Sequence, residues 1–255
     1  MTDTLKARMA QGDRLVGTFL KTPAYELIEV LARSRLDFVC LDAEHAPFDR
    51  GRMDACLAMG RALGVPMLVR VPDGSPGTIL GVLDSGATGL VVPHVQSVEK
   101  AREVAKAARF GHGGRGFAGS TRWAGFATRG REEILAQSET ETVVIAQIEE
   151  PEGVEAAEAI AGTDGIDALF VGPADLAVSM GASGPNDPAV LEATAAVGRA
   201  AKGAGKPLVT WTGGPANAAA LREAGVTMFF VASEHAWMLA GANAAADAFG
   251  GGARA

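Results

Sequence analysis

Two carboxylates in the second half of the chain have the surroundings that a divalent-metal site needs. Glu149 ends the apolar segment 143–149, and Gln147 shares its face because side chains two apart on a strand point the same way. Asp175 follows the next apolar segment, within the sequence GPAD. Two carboxylates, with the remaining positions left to water and substrate, are typical ligands of Mg²⁺ or Mn²⁺. The alternative for Asp175 is a carboxylate that complements a helix dipole.

The GPAD segment also has the features of an anion-binding helix start. Pro173 follows Gly172 and suits the first helical turn, where a missing N–H group costs nothing. The backbone N–H groups of Ala174 and Asp175 are then free to bind a substrate carboxylate at the helix N-terminus. We therefore expect the segment 172–175 to bind substrate.

His45 and Arg70 are candidates for proton transfer and charge stabilisation. His45 follows the apolar segment 37–42, and Arg70 lies in the otherwise apolar segment 66–71. An imidazole with an ordinary pKa of about 6.5 can act as a base near neutral pH. A fixed cation that faces a developing oxyanion contributes about 3–4 kcal/mol to catalysis. The alternatives are an ordinary loop histidine and an arginine that pairs with Glu149 or Asp42.

An aspartate near the end of a helical segment could assist His45. Asp84 lies in the sequence VLDSG, close to the end of the predicted helix 76–85. A carboxylate there could orient the imidazole of His45 and raise its basicity. Ordinary surface charge is the alternative for Asp84.

The elements that must position these residues alternate along the whole chain. Eight short apolar segments, which we interpret as strands buried on both faces, alternate with helical patterns. Eight such units in 255 residues predict a (β/α)8 barrel, with the ionisable residues at the carboxyl ends of its strands. An open doubly wound sheet is the rival fold, but no GxGxxG sequence follows the first strand. The predicted strands are 14–20, 37–42, 66–71, 89–93, 143–149, 168–172, 207–210 and 227–232, and the predicted helices are 24–34, 51–63, 76–85, 97–108, 151–161, 188–204, 214–224 and 235–249.

Composition narrows the classes of partner and the cell compartment. The net charge is -7 with no basic block, which argues against nucleic acid as a partner. No apolar run reaches the length of a membrane span, and the start of the chain lacks a signal sequence. Cys40 and Cys56 are the two cysteines, so we expect no disulfide framework and a cytoplasmic protein. No composition break interrupts residues 1–255, which predicts one domain.

Several other features are weaker signals. His94, His112 and His235 show no metal-like spacing with the cysteines or with one another, and His235 reads as a structural residue at a helix start. Lys21, in TFLKTP, is weak evidence for a Schiff-base enzyme. The irregular stretch 109–131 is rich in glycine, and we interpret it as a loop over the barrel opening or a contact between subunits.

Four motifs follow one another along nearly the whole chain: DFVCLDAEHAPFD, LVRVPDG with ILGVLDSGATGLVVPHVQSVEKA, QIEEPEGVEA, and GIDALFVGPADLAVSMG. Together they resemble the HpcH/HpaI aldolase family. The resemblance implies a class II, metal-dependent pyruvate aldolase with the TIM-barrel fold of the phosphoenolpyruvate/pyruvate superfamily. It also implies aromatic catabolism, and a homohexamer built as a trimer of dimers that exchange their last helix.

The resemblance assigns a role to each matching position. Glu149 and Asp175 match the ligands of a divalent metal (Mg²⁺, Mn²⁺ or Co²⁺), and His45 matches the base, acting on or through water. The remaining matches are Asp84 supporting His45, Asp42 holding the catalytic water, Arg70 stabilising the enolate, Gln147 contacting pyruvate, Ala174 where relatives carry Ser, and Thr212 beside the aldehyde.

The implied reaction is the reversible cleavage of a 4-hydroxy-2-oxo acid into pyruvate, or a related 2-oxo acid, and an aldehyde. Three alternatives stay open at this point. The first is an oxaloacetate-type decarboxylase or carbon–carbon ligase that uses the same enolate. The second is an aldolase of 2-keto-3-deoxy sugar acids, and the third is a barrel that binds small carboxylates without catalysis.

Overall fold

The chain folds into a closed barrel of eight parallel strands, as the alternating pattern predicts. A computed structural model describes residues 3–251, and its strands pair in the order β1 to β8, with β8 returning to β1. The strands are β1 Leu15–Leu20, β2 Phe38–Asp42, β3 Met67–Arg70, β4 Gly89–Val92, β5 Val143–Ile148, β6 Ala168–Val171, β7 Leu208–Thr212 and β8 Val226–Ser233. All eight predicted strands are confirmed, and the doubly wound alternative is excluded.

Helices surround the barrel and supply its outer layer. They are α1 Leu5–Ala10, α2 Tyr25–Leu31, α3 Arg50–Leu63, α4 Pro76–Asp84, α5 Val98–Ala108, α6 Arg131–Glu141, α7 Pro151–Glu155, α8 Ala157–Ala161, α9 Pro173–Ser179, α10 Pro188–Gly203, α11 Ala218–Glu223 and α12 Glu234–Ala248. The predicted helix 151–161 is divided at Ala156, and a short 3-10 turn, Pro215–Asn217, precedes α11. Helices α1 and α6 were not predicted from the sequence.

Aromatic side chains fill the barrel interior just below its carboxyl-terminal opening. The Phe230 ring centroid lies 4.9 Å from those of Phe19 and Phe38 and 5.1 Å from that of Phe170. Gly17 makes room for this layer, because a Cβ atom there would lie 2.4 Å from the Phe38 ring. The layer closes the barrel beneath the polar groups, so the chemistry is confined to the opening, which we call the mouth.

The last helix, α12, is tied to the barrel at its first residue, the buried Glu234, and is exposed beyond it. Every residue of the range 235–251 is exposed, including Trp237, Met238 and Leu239 of α12. These side chains form an apolar surface that the helix's own barrel does not cover.

Both cysteines of the chain lie in the described range 3–251. Cys40 and Cys56 are both buried and free, and Cys40 packs inside the barrel. No helix in the described part of the chain combines the length and the apolar character that crossing a bilayer requires.

Candidate active site

The register between β2 and β3 places a buried carboxylate beside a buried guanidinium. Asp42 and Arg70 are direct neighbours across these strands. Arg70 Nε donates to Asp42 Oδ1 at 2.9 Å and Arg70 Nη2 donates to Oδ2 at 2.8 Å. This two-pronged geometry fixes the plane of the guanidinium. The sequence-based alternative that Arg70 pairs with Asp42 is therefore observed.

A second cation completes the environment of Asp42. Lys21 Nζ lies 2.9 Å from Asp42 Oδ2, and the Asp42 side chain is fully buried. Burial alone would raise the pKa of Asp42, but hydrogen bonds and charge from Arg70 and Lys21 outweigh it, so the pKa is lowered. Because its amine is engaged in this ion pair, Lys21 is poorly placed to act as a Schiff-base nucleophile.

The aromatic layer supports Arg70 from below. The Arg70 guanidinium carbon lies 4.4 Å from the centre of the Phe19 ring, a cation–π arrangement. The Arg70 side chain is only 8% exposed. Burial lowers the pKa of Arg70, but Asp42 raises it further, so the side chain stays a fixed positive charge.

His45 and Glu44 lie on the loop that follows β2. The backbone N–H of His45 donates to Asp42 Oδ1 at 3.2 Å, which ties this loop to the ion pair. The His45 ring is half exposed, with Nε2 3.6 Å from Glu44 Oε2. Glu44 is more enclosed, and burial raises its pKa although Arg70 opposes the effect. His45 is thus free to meet a substrate, whereas Glu44 faces inward.

Glu149 is the centre of a group that could hold a metal ion. Its Oε1 accepts the backbone N–H of His94 at 2.9 Å, and its Oε2 accepts a short hydrogen bond from Gln147 Nε2. One ligand atom each of Glu44, His94 and Glu149 lies within 4.8 Å of the other two. Sequence reasoning found Glu149 but assigned no metal role to Glu44 or His94.

The chemistry of this group fits a divalent cation. The side chains of Glu149 and Gln147 are 3% and 1% exposed, and Gln147 Oε1 accepts no hydrogen bond within the described range 3–251. A buried acceptor without a donor is costly unless a ligand satisfies it. Carboxylate and imidazole donors in one place are ligands that divalent metals take.

A cavity of about 410 Å³ opens beside this group at the barrel mouth. It brings together most of the residues predicted from sequence, namely His45, Arg70, Gln147, Gly172, Pro173, Ala174 and Asp175. Gly172 permits the close packing here, because a Cβ atom at that position would lie 3.1 Å from Glu149 Oε2. Pro173 begins α9, as expected, with Asp175 in its first turn. Asp175 lines the cavity but is not part of the Glu44–His94–Glu149 group.

Asp84 lies in another environment. It ends α4, and Arg115 Nη2 donates to its Oδ1 at 2.6 Å. The Arg115 side chain is fully buried between the rings of Phe110 and Trp123, with distances of 4.6 and 4.9 Å to their centres. Within residues 3–251, Asp84 makes no hydrogen bond to His45, so the expected support of His45 is not observed in a single chain.

The last predicted site residue, Thr212, points away from the mouth. Its hydroxyl donates to Gly214 O at 2.9 Å, and its side chain lines a different cavity beside Val16 and Phe229. Trp211 lines the mouth instead, and its indole Nε1 donates to Ala232 O at 3.2 Å. The parity of β7 explains the difference, because Val209 points inward and positions two apart share a face.

The polar groups lie at the carboxyl-terminal mouth of the barrel, where TIM-barrel enzymes have their active sites. The chain belongs to the HpcH/HpaI aldolase/citrate lyase family, whose family model matches residues 15–240. It is accordingly a carbon–carbon lyase, a class II aldolase.

Individual relatives agree with this assignment. The chain is 33% identical to a hydroxypyruvate/pyruvate aldolase of Paraburkholderia phytofirmans over 246 residues, which cover 93% of this chain and 94% of the relative. It is 35% identical to a 5-keto-4-deoxy-D-glucarate aldolase of Klebsiella pneumoniae, over 87% of this chain and 86% of the relative. A crystal structure of a family member from Burkholderia cenocepacia superposes with a TM-score of 0.91 at 34% identity, over 97% of this chain and 99% of that one.

Proposed function

We propose that this aldolase reversibly cleaves a 4-hydroxy-2-oxo acid into pyruvate, or a closely related 2-oxo acid, and an aldehyde. The observation that carries the proposal is the cavity at the mouth. A fixed cation, Arg70, and an accessible imidazole, His45, line it, and its lining residue Gln147 donates to the metal-capable carboxylate of Glu149. A 2-oxo acid needs these three functions at adjacent points, for chelation, for charge stabilisation and for proton transfer.

Glu149 and Asp175 are the proposed protein ligands of a divalent ion, Mg²⁺, Mn²⁺ or Co²⁺. When bound, such an ion supplies Lewis-acid polarisation of the 2-oxo group, worth several kcal/mol. The donor set supports this assignment, since Asp175 lines the cavity and Glu149, which is almost fully buried, accepts a hydrogen bond from its lining residue Gln147.

The chain's own residues supply binding and proton transfer. The backbone N–H groups of Ala174 and Asp175, in the first turn of α9, are proposed to bind the substrate carboxylate. The unsatisfied Oε1 of Gln147 faces the same space. Arg70, which Asp42 holds in one plane, donates toward the oxygen on which negative charge develops.

His45 is the proposed base. Its ring is accessible at the mouth, and in the cleavage direction it accepts the proton of the 4-hydroxyl group, directly or through water. The carbon–carbon bond between C3 and C4 then breaks, and the aldehyde leaves. A proton is returned to the remaining 2-oxo acid at C3, which becomes the methyl group of pyruvate.

A sugar-acid substrate is the second candidate. One observation favours it beyond the name of the Klebsiella relative: Lys21 and Ser233 add polar groups to the lining of the cavity. Such polar and charged groups suit a hydroxylated or acidic aldehyde. Decarboxylation of oxaloacetate would use the same groups and is tested beside the aldol reaction.

Exchange of the pyruvate methyl protons in D2O tests the proposal without knowledge of the aldehyde. The metal-stripped protein is incubated with pyruvate, and the methyl signal is followed by proton NMR before and after Mg²⁺, Mn²⁺ or Co²⁺ is added. We expect exchange only with metal, and none with Glu149→Ala. Exchange that occurs without added metal, or no exchange under any condition, would contradict the proposal. Matched assays with oxaloacetate and with a panel of aldehydes then separate the candidate substrates.

We further propose a cytoplasmic, single-domain enzyme that assembles as a hexamer of three helix-exchanged dimers. The exposed apolar residues of α12 support the exchange, because a second barrel could cover them. Light scattering coupled to gel filtration tests the assembly. Replacing Trp237 and Leu239 with Ser should yield smaller species, and an unchanged mass would argue against the exchange.

A further inference from the structure

His94 occupies an unusual position next to Glu149. It follows β4, and its φ of 54° lies in the left-handed region that residues with a Cβ atom rarely adopt. The carboxylate of Glu149 holds this conformation by accepting the His94 N–H at 2.9 Å. The backbone therefore presents the His94 ring to the carboxylates of the mouth.

The two ring nitrogens of His94 have different surroundings. Nδ1 lies 2.9 Å from Glu150 Oε1 and 3.2 Å from Glu149 Oε1. Nε2 lies 3.8 Å from Glu44 Oε1, which is too long for a hydrogen bond. One nitrogen is thus paired with carboxylates, and the other faces Glu44 without a bond.

Two further observations point to a ligand at this place. Ligand atoms of Glu44, His94 and Glu149 lie within 4.8 Å of one another, so small side-chain shifts would bring all three within bonding distance, about 2.0–2.3 Å, of one common ion. Gln147 beside them is 1% exposed, and its Oε1 has no donor among residues 3–251. Glu44 Oε2 is paired with Arg70, whose Nε lies 3.2 Å away, so Glu44 Oε1 is the oxygen that faces His94.

We infer that His94 is a nitrogen ligand of the catalytic metal ion, bound through Nε2 and oriented by Glu150 at Nδ1. A ligating histidine commonly gives its other N–H to a carboxylate, which fixes the ring and makes it a better donor. This inference rests on the proposed function, because it concerns the same ion that Glu149 is proposed to hold. It adds a ligand on the β4 side of the mouth, where the family resemblance placed none.

A nitrogen ligand has a consequence for the choice of metal. Mg²⁺ favours an all-oxygen environment, whereas imidazole strengthens the binding of later transition metals. We therefore expect the protein to bind Co²⁺ much more tightly than Mg²⁺, and we expect His94 to carry a large share of that preference.

Pulsed electron paramagnetic resonance of the Mn²⁺-loaded full chain tests the ligand directly, since a bound imidazole nitrogen gives a characteristic ¹⁴N modulation. His94→Asn is the informative variant, because Asn tolerates a positive φ better than most residues. His112→Asn is the matched control, because His112 is an exposed histidine of the loop before α6. We expect the modulation in the wild-type protein and in His112→Asn but not in His94→Asn.

Calorimetry with Co²⁺ and Mg²⁺ supplies the second readout. The ratio of the two affinities should fall about tenfold or more in His94→Asn, and Glu150→Gln should weaken Co²⁺ binding by about 10–100-fold while the nitrogen modulation is retained. Mn²⁺ that binds the wild-type protein without the modulation would overturn the inference and leave the proposed aldolase chemistry intact. Modulation that persists in His94→Asn would overturn it as well. Failure of every metal to bind would overturn both the assignment of His94 as a ligand and the proposed metal-dependent function. The pyruvate exchange assay tests the proposed function separately.

Discussion

Replacing Asp42 with Asn removes the negative charge that organises the barrel mouth. Asp42 Oδ1 accepts from Arg70 Nε at 2.9 Å and from the His45 N–H at 3.2 Å, while Oδ2 contacts Arg70 Nη2 at 2.8 Å and Lys21 Nζ at 2.9 Å. An amide offers one oxygen as acceptor, so its NH2 group would face two of these four donors. Two cations would then lose their shared anion.

The size of the effect follows from burial. Asp42 is fully buried and Arg70 is 8% exposed, so the lost attraction is not replaced by water. Breaking a buried pair by neutralising one partner costs about 3–5 kcal/mol. The same change in an exposed pair costs about 0–1 kcal/mol.

Asp54→Asn is a control with the same chemical change. Asp54 Oδ2 also accepts from an arginine, Arg122 Nη2, at 2.8 Å, but its side chain is 43% exposed. Urea unfolding of both variants gives the two free-energy changes under identical conditions. We expect Asp42→Asn to lower the free energy of unfolding by several kcal/mol more than Asp54→Asn.

A double variant separates the pair from its surroundings. Asp42→Asn combined with Arg70→Met should cost less than the sum of the two single changes, because no buried guanidinium is left without a partner. Equal losses for Asp42→Asn and Asp54→Asn, or strictly additive losses in the cycle, would refute the reasoning.

Four further outcomes are expected. The stability advantage of the wild-type protein over Asp42→Asn should shrink as pH falls below about 4. Folding lowers the pKa of Asp42, so its carboxylate stabilises the protein above its unfolded pKa of about 3.9, and this contribution is lost as the folded protein takes up the proton. A stability difference that stays constant down to about pH 2 would contradict this. His45→Ala should reduce aldol cleavage by about 10²–10⁴-fold and leave pyruvate binding by calorimetry unchanged, and a parallel loss of binding would speak against a base. Asp84→Asn should shift the acidic limb of the pH–rate profile if Asp84 supports His45 in the assembled enzyme, whereas a change in stability alone would assign Asp84 to its contact with Arg115. Lys21→Met should lower kcat/KM about tenfold for aldehydes that carry a carboxylate and less for neutral ones, in line with the loss of one charged contact. Equal losses for both kinds of aldehyde would show that Lys21 acts through its ion pair with Asp42 instead of contacting the aldehyde.

The barrel could be predicted because its strands carry a strong signal. Strands covered on both faces are continuous runs of apolar residues, and each predicted strand overlaps the observed one with ends that differ by three residues or fewer. Helix α6 lacked such a signal. Its buried side chains include Gln137 and Ser138 as well as Ile134, so no apolar stripe marks its inner face.

Arg115 shows a different limit of sequence reasoning. It lies in the glycine-rich stretch that was expected to be irregular, and the range 109–130 contains no helix or strand in the structure. Its guanidinium is nevertheless fully buried against two aromatic rings and binds Asp84. Burial lowers the pKa of Arg115, and Asp84 opposes this by stabilising the charge. Nothing in the spacing of arginine and aspartate residues 31 positions apart indicates such a contact.

Thr212 was assigned to the site in place of Trp211 because the predicted end of β7 was two residues too early. The predicted strand ended at residue 210, which left the direction of the next positions open, whereas the observed strand continues to Thr212. Counting by two from inward-facing Val209 places Trp211 inside and Thr212 outside. The alternation was therefore available in the sequence, but it could be applied only once the strand end was known.

The Glu44–His94–Glu149 group explains why motif spacing could not reveal all of the mouth. Its members follow β2, β4 and β5, and 50 and 55 residues separate them along the chain. Fixed spacing identifies ligands that share one helix or loop, whereas a closed barrel collects ligands from separate strands at one rim. Glu149 could be found because it shares a strand with Gln147, and Asp175 because it begins a helix. His94 has neither context, and only the conformation that Glu149 imposes on its backbone directs its ring toward the other two.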